Sequence, residues 1–119
     1  MKSGTASEQG DIVLIPFPFT DLSSVKQRPV LILSNNDYNK ETDDIVTCGI
    51  TSNLKDAAYS VLIDKGDLIN GDIPVKSRIK VDKIFTLDQS LIRKKLAIVN
   101  KRIVEKVKQE ILNLFQIIN

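Results

Sequence analysis

Histidine and tryptophan are absent from the 119 residues, and Cys48 is the single cysteine. Each absence removes a class of chemistry. Without histidine, no histidine-based catalytic triad can be built, and the usual zinc ligand sets cannot be assembled. One cysteine cannot form an internal disulfide. Aromatic residues make up 5% of the chain, few for the stacking platforms with which sequence-tolerant proteins hold single-stranded nucleic acid. Tyr38, Tyr59 and the phenylalanines read instead as core or loop anchors. No apolar run approaches the ~20 residues of a membrane-spanning helix, and the opening MKSGTASEQ lacks the apolar stretch of a secretory signal. A cytoplasmic protein without membrane contact, metal or cofactor is expected.

What is present is ordinary for a globular chain: 42% apolar and 27% charged residues, well away from disordered compositions. At this length a single domain over 1–119 is expected, with a modest core and residues 1–9 as a flexible N-terminal segment. The net charge of +2 conceals an asymmetry. Residues 1–75 hold 6 Lys and Arg against 11 Asp and Glu, and residues 76–119 hold 11 against 4. A basic surface that meets nucleic acid or an acidic partner segment is one reading of this; a solvated helix face is the other.

DIVLIPF (Asp11 to Phe17) and PVLILS (Pro29 to Ser34) are continuous apolar runs rich in β-branched residues, the pattern of strands buried on both faces in a small barrel or sandwich. Pro16 and Pro18 predict that the first strand ends or kinks near Phe17. TDLSSVKQ then reads as an exposed connection, and Asn35 to Asp44 as a second polar loop. Ile45 to Asn53 and Tyr59 to Asp64 read as two further strands, and Lys65 to Pro74, with two Gly-Asp pairs, as a turn-rich link. SRIKVDKIFTLD (Ser77 to Asp88) sets Ile79 and Val81 against Arg78, Lys80 and Asp82, a strand with one polar face. A helical turn started by Asp88 and a short strand at Leu96 to Val99 follow. Asn100 suits a helix N-cap, after which Ile103, Val104, Val107, Ile111, Leu114, Phe115 and Ile118 recur at spacings of three and four: an amphipathic helix.

GDIVLIPFP, RPVLILSN, GITSN and SRIKVDKIFTLD, in this order and spacing, resemble the MazF/PemK-type toxins of type II toxin–antitoxin pairs over nearly the whole chain. The resemblance implies a mainly β fold with helices, a small SH3-like β-barrel of the MazF/Kid/CcdB type closed by an amphipathic C-terminal helix. It implies a homodimer that cleaves single-stranded RNA, with mRNA as the natural substrate, without metal and with sequence selectivity. It also implies a cognate antitoxin whose tail occupies the RNA groove.

Metal-free RNA cleavage uses the substrate's own 2′-hydroxyl as nucleophile, so the protein must position the sugar and stabilise charge growing on the phosphoryl oxygens. A guanidinium is a permanently charged planar fork suited to two such oxygens. Arg28 stands where Pro29 restricts the backbone entering a rigid strand, and by similarity it is the main catalytic residue. Its basicity makes it a poor proton acceptor, so electrostatic stabilisation is the expected role. Thr51 matches the position whose hydroxyl helps hold the scissile phosphate, with Ser52 and Asn53 beside it.

In another branch of the family an arginine and an aspartate precede the terminal helix, and those positions match Lys80 and Asp82, secondary catalytic candidates. Lysine keeps the charge and loses the fork. That branch also uses a first-loop histidine, which this chain lacks. First-loop residues Thr20, Asp21, Ser23, Ser24, Lys26 and Gln27 are candidate RNA contacts, as are Lys76 and Arg78 at the basic end. A non-nuclease toxin of the gyrase-poison type and a catalytically silent RNA- or peptide-binding member are the alternative functions, since fold does not dictate function.

Overall fold

The computed structural model describes residues 7–17 and 26–116. It is mostly β, a seven-stranded antiparallel sheet curled into a half-barrel with a C-terminal helix. The elements run β1 (Asp11–Phe17), β2 (Lys26–Ile32), α1 (Asn36–Glu41), β3 (Asp44–Thr51), β4 (Ser60–Ile63), β5 (Leu68–Gly71), β6 (Ser77–Asp88), β7 (Lys94–Val99) and α2 (Lys101–Leu114), with 3₁₀ turns at Lys65–Asp67 and Gln89–Leu91. The strand order is β4-β6-β3-β2-β1-β7-β5, so the two most apolar runs lie at the centre of the sheet.

Those runs are apolar throughout because each of their faces has its own core. Ile12 and Leu31 join Cys48, Ile50, Ile63, Ile79, Val81 and Val99 on the face covered by α2, where Ile103 and Val107 are buried. Val13, Ile15, Val30 and Ile32 join Ile45 and Leu87 on the other, against Phe85, Leu91 and Ile92. Side chains alternate along a strand, so one continuous run supplies both clusters. Asp11 is the charged exception in β1. It is buried, accepts from the Glu8 amide at 3.0 Å and lies 3.3 Å from Lys95 Nζ. Burial pushes its carboxyl above the usual carboxylate range, against the opposing pull of the Glu8 amide and the Lys95 charge.

Two readings of the sequence are corrected. Asn35 to Asp44 is not a plain loop: Asn35 caps α1 by accepting from the Tyr38 amide at 2.8 Å, and buried Asn39 donates to the carbonyls of Ser7 and Ser34. Lys65 to Pro74 is not only a link, for Leu68–Gly71 forms β5 on β7. Gln9 Nε2 donates to the Leu33 carbonyl at 2.7 Å and its amide to Asn36 Oδ1 at 2.9 Å. As expected, Asn100 caps α2, accepting from the Ile103 amide at 3.0 Å. Of the apolar positions named for that helix, Phe115 is 64% exposed, and Ile118 lies outside the described residues. No helix among the described residues is long and apolar enough to cross a membrane.

Gly71 ends β5 at φ +79, where a Cβ would stand 2.1 Å from the Leu96 carbonyl oxygen. Gly66 has nothing within 4 Å of such an atom. In urea titrations Gly71→Ala is expected to lose roughly 2–4 kcal/mol, from backbone strain plus the clash, and Gly66→Ala to stay within about 0.5 kcal/mol of the parent.

Candidate functional site

Two interruptions of strand pairing open a groove on the face of the sheet away from α2. β2 pairs with β1 over all but its last residue, from Lys26 opposite Phe17 to Leu31 opposite Ile12, but its ladder to β3 begins only at Val30, opposite Gly49. Pro29 therefore stands where β2 has no neighbour on its β3 side, the place in a sheet that tolerates a residue without an amide hydrogen. Arg28 projects from the free stretch just beyond it. The second interruption is in β6. Ile84 faces Cys48 and Lys80 faces Gly49, which leaves Val81, Asp82 and Lys83 without partners on β3. Such a bulge re-aims side chains, and the Lys83 Cβ comes within 3.7 Å of the position a Gly49 side chain would take.

The groove has a volume of about 820 Å³. Ile15, Val30, Ile84 and Phe85 contribute apolar floor, while Arg28, Lys55, Lys80 and Lys83 bring four positive charges and Asp56 and Asp82 two negative ones. Among the described residues none of these four cations is ion-paired. An anion entering the groove thus meets cations that need not be released from internal partners.

Thr51 ends β3 in the groove wall. Its Oγ1 accepts from the Asn53 amide at 3.1 Å, and Asn53 Oδ1 accepts from the Lys55 amide at 3.0 Å. With one lone pair so occupied, the Thr51 hydroxyl proton remains to be donated into the groove. Cys48 lies beneath the β6 bulge, fully buried. Burial, and secondarily the Asp82 charge, push its thiol up to about 12.

The predicted residues divide clearly. Arg28, Thr51, Asn53, Lys80 and Asp82 line one groove. Lys26, Gln27, Ser52 and Lys76 are exposed outside its lining, and Arg78 turns its guanidinium toward Ser60 and Asp56. Thr20, Asp21, Ser23 and Ser24 lie outside the described residues. Sequence reasoning missed Lys55 and Lys83. Lys83 follows the polar face of β6 out of phase, so only the bulge brings it to the groove, and Lys55 sits in an irregular stretch with no periodic signal. Among the described residues no three carboxylate or thiol groups converge.

A family model for PemK-like, MazF-like toxins of type II toxin–antitoxin systems matches residues 8–115. The chain belongs to this family. Curated proteins yield no sequence match. Among solved structures, a mycobacterial endoribonuclease in complex with its cognate antitoxin superposes with a TM-score of 0.78 at 21% identity, covering 96% of this chain and 100% of that one. A chain of a MazE–MazF crystal structure from Deinococcus radiodurans gives 0.77 at 23% identity, with the same two coverages, 96% and 100%. A second mycobacterial endoribonuclease gives 0.72 at 23%, covering 92% and 90%. These likenesses establish the fold, and the family match places that fold among toxins.

Cys48 in such a toxin is an inert packing group, because the thiolate and not the thiol reacts. Iodoacetamide at mildly alkaline pH should leave the folded protein unlabelled by mass spectrometry and alkylate it fully in denaturant; rapid labelling of the folded state would contradict this burial.

Proposed function

We propose that this toxin is an endoribonuclease that cuts single-stranded RNA, mRNA among its targets, without a metal, in the cytoplasm, and that a cognate antitoxin neutralises it. The observation that carries this reading is the groove itself: Arg28 and Thr51, from different strands, face one space with an apolar floor and cations that have no ion pair among the described residues. In the proposed step the ribose 2′-oxygen attacks the adjacent phosphorus. The new O2′–P bond forms as the P–O5′ bond breaks, the 2′-hydroxyl gives up its proton, and the departing O5′ receives one. The products are a 2′,3′-cyclic phosphate and a 5′-hydroxyl.

Arg28 supplies the fork for the non-bridging oxygens, where negative charge is greatest in the transition state. The Thr51 hydroxyl donates a further hydrogen bond to the same phosphoryl group. Lys80 adds positive potential, and Asp82, exposed on the β6 bulge, is the candidate proton carrier. Flanking nucleotides would meet Asn53, Ser52, Lys26, Gln27 and Lys76, and bases would be read through hydrogen bonds to their splayed edges. The groove of one copy is short for a bound strand. A two-fold homodimer would place the same patch of each copy along one RNA path, and an acidic amphipathic antitoxin tail would match the cationic rim and apolar floor.

Cleavage of a natural transcript should persist in EDTA, and a deoxyribose at the cut nucleotide should abolish it. Loss of activity on chelation, or 5′-phosphate ends, would refute the mechanism. Arg28→Ala should slow cleavage by about a hundred- to thousandfold, the cost of removing a transition-state donor, and Arg28→Lys should remain poor because the fork is lost. Lys80→Ala should cost far less. Equal losses at Arg28 and Lys80 would overturn this ranking. Sedimentation should report twice the chain mass, and an active, strictly monomeric protein would exclude the shared RNA path.

A further inference from the structure

Arg78 is built into the protein in a way that a surface cation is not. It lies on β6 opposite Thr51 of β3 and Leu62 of β4, and its side chain is 12% exposed. Its Nη1 donates to Ser60 Oγ at 3.0 Å and stands 3.6 Å from Asp56 Oδ1. Ser60 Oγ passes the contact on, donating to the Ala57 carbonyl at 2.6 Å. The Nε of Arg78 is buried, so its fork is not offered whole to a phosphate. A second tie lies beside the first: the Val81 amide, at the start of the β6 bulge, donates at 3.0 Å to the carbonyl of Tyr59, whose φ is +54.

These contacts hold an irregular segment that has little backbone pairing of its own. Its upstream end is fastened by the Thr51 hydroxyl and the Asn53 side chain, and its downstream end by Arg78, Ser60 and Val81. Between the two ends Asn53, Lys55, Asp56 and Ala57 line the same groove as Arg28. The position of that segment decides how far Lys55 and Asn53 stand from Arg28 and Thr51.

We propose that Arg78 is a positioning residue: through Ser60 and its bond to the Ala57 carbonyl it locks the 53–57 wall, and so governs the toxin's affinity and cut-site selectivity for RNA without touching the strand. The role in RNA selection rests on the nuclease reading above; the locking of the wall does not.

The test uses Arg78→Met, Ser60→Ala and Ser60→Thr in the full chain. Ser60→Ala leaves the guanidinium in place and serves even if Arg78→Met fails to fold. Amide hydrogen exchange of the free protein should accelerate about tenfold in Ser60→Ala at Asn53 and Lys55, the hydrogen-bonded amides of the 53–58 segment, the loss of a hydrogen bond to a charged group, while β1 and β2 stay protected. Ser60→Thr, which keeps the hydroxyl, should restore the parent pattern. With a random-sequence single-stranded RNA library, Ser60→Ala and Arg78→Met should raise KM about tenfold with little change in kcat and broaden the cut sites. Combining them should add little further, because both break one chain of contacts. Unchanged exchange at Asn53 and Lys55 would overturn the locking role, whether or not the protein cleaves RNA. Accelerated exchange with an unaltered KM and cut-site pattern would overturn the selectivity role. So would an Arg78→Met defect that Ser60→Ala does not share, since that marks direct phosphate contact. Failure of the parent to cleave any RNA would refute the nuclease reading, and exchange alone would then judge the lock.

Discussion

β2 is buried on both faces from Val30 to Ile32, and a strand so enclosed carries an unpaired charge only at high cost. The first place at which one is tolerated is where the strand outruns its neighbour, and that place is Arg28. The proline beside it suits the same boundary, since a residue without an amide hydrogen fits where the β3 ladder has stopped. Core packing and the location of the cation are thus one constraint: extending the β2–β3 ladder would cover the groove, and shortening the apolar run would lose the anchor that holds Arg28 still.

The opposite side of the groove depends on a defect in regular pairing. β6 could have matched β3 residue for residue, and its polar face would then have projected Arg78, Lys80 and Asp82 in an even row. The three unpaired residues after Lys80 break that row. They bury Val81 in the helix-side core, raise Lys83 over Gly49, and offer the Val81 amide to the segment leading into β4. One bulge therefore places cations, secures a wall and covers Cys48. A cation-rimmed groove with an apolar floor suits a polyanion whose bases are splayed out, and it suits equally an acidic, amphipathic peptide that would block it.

Much of this was legible before any coordinates. The apolar runs of β1 and β2 announce their two-sided burial, Ser77–Asp88 alternates as a strand with a polar face, and Asn100 followed by residues spaced three and four apart marks α2. Arg28 and Thr51 stood out through the motifs that contain them. The elements that escaped notice are short and polar. α1 has six residues, and its beginning reads as turn formers because the same Asn and Asp side chains that favour turns also cap helices. β5 has four residues bounded by Gly-Asp turns, and only its pairing with β7 makes it a strand.

The sequence by itself determined which of the longer segments become strands and which becomes the terminal helix, because side-chain periodicity and apolar content are properties of each segment alone. It also determined that any chemistry must proceed without histidine or a cysteine pair. Where ladders stop and where they slip was decided only by tertiary structure, since register is a property of two strands together. That is why Lys83 and Lys55 join the groove while Arg78, equal to Lys80 in the sequence pattern, turns away to Ser60 and Asp56.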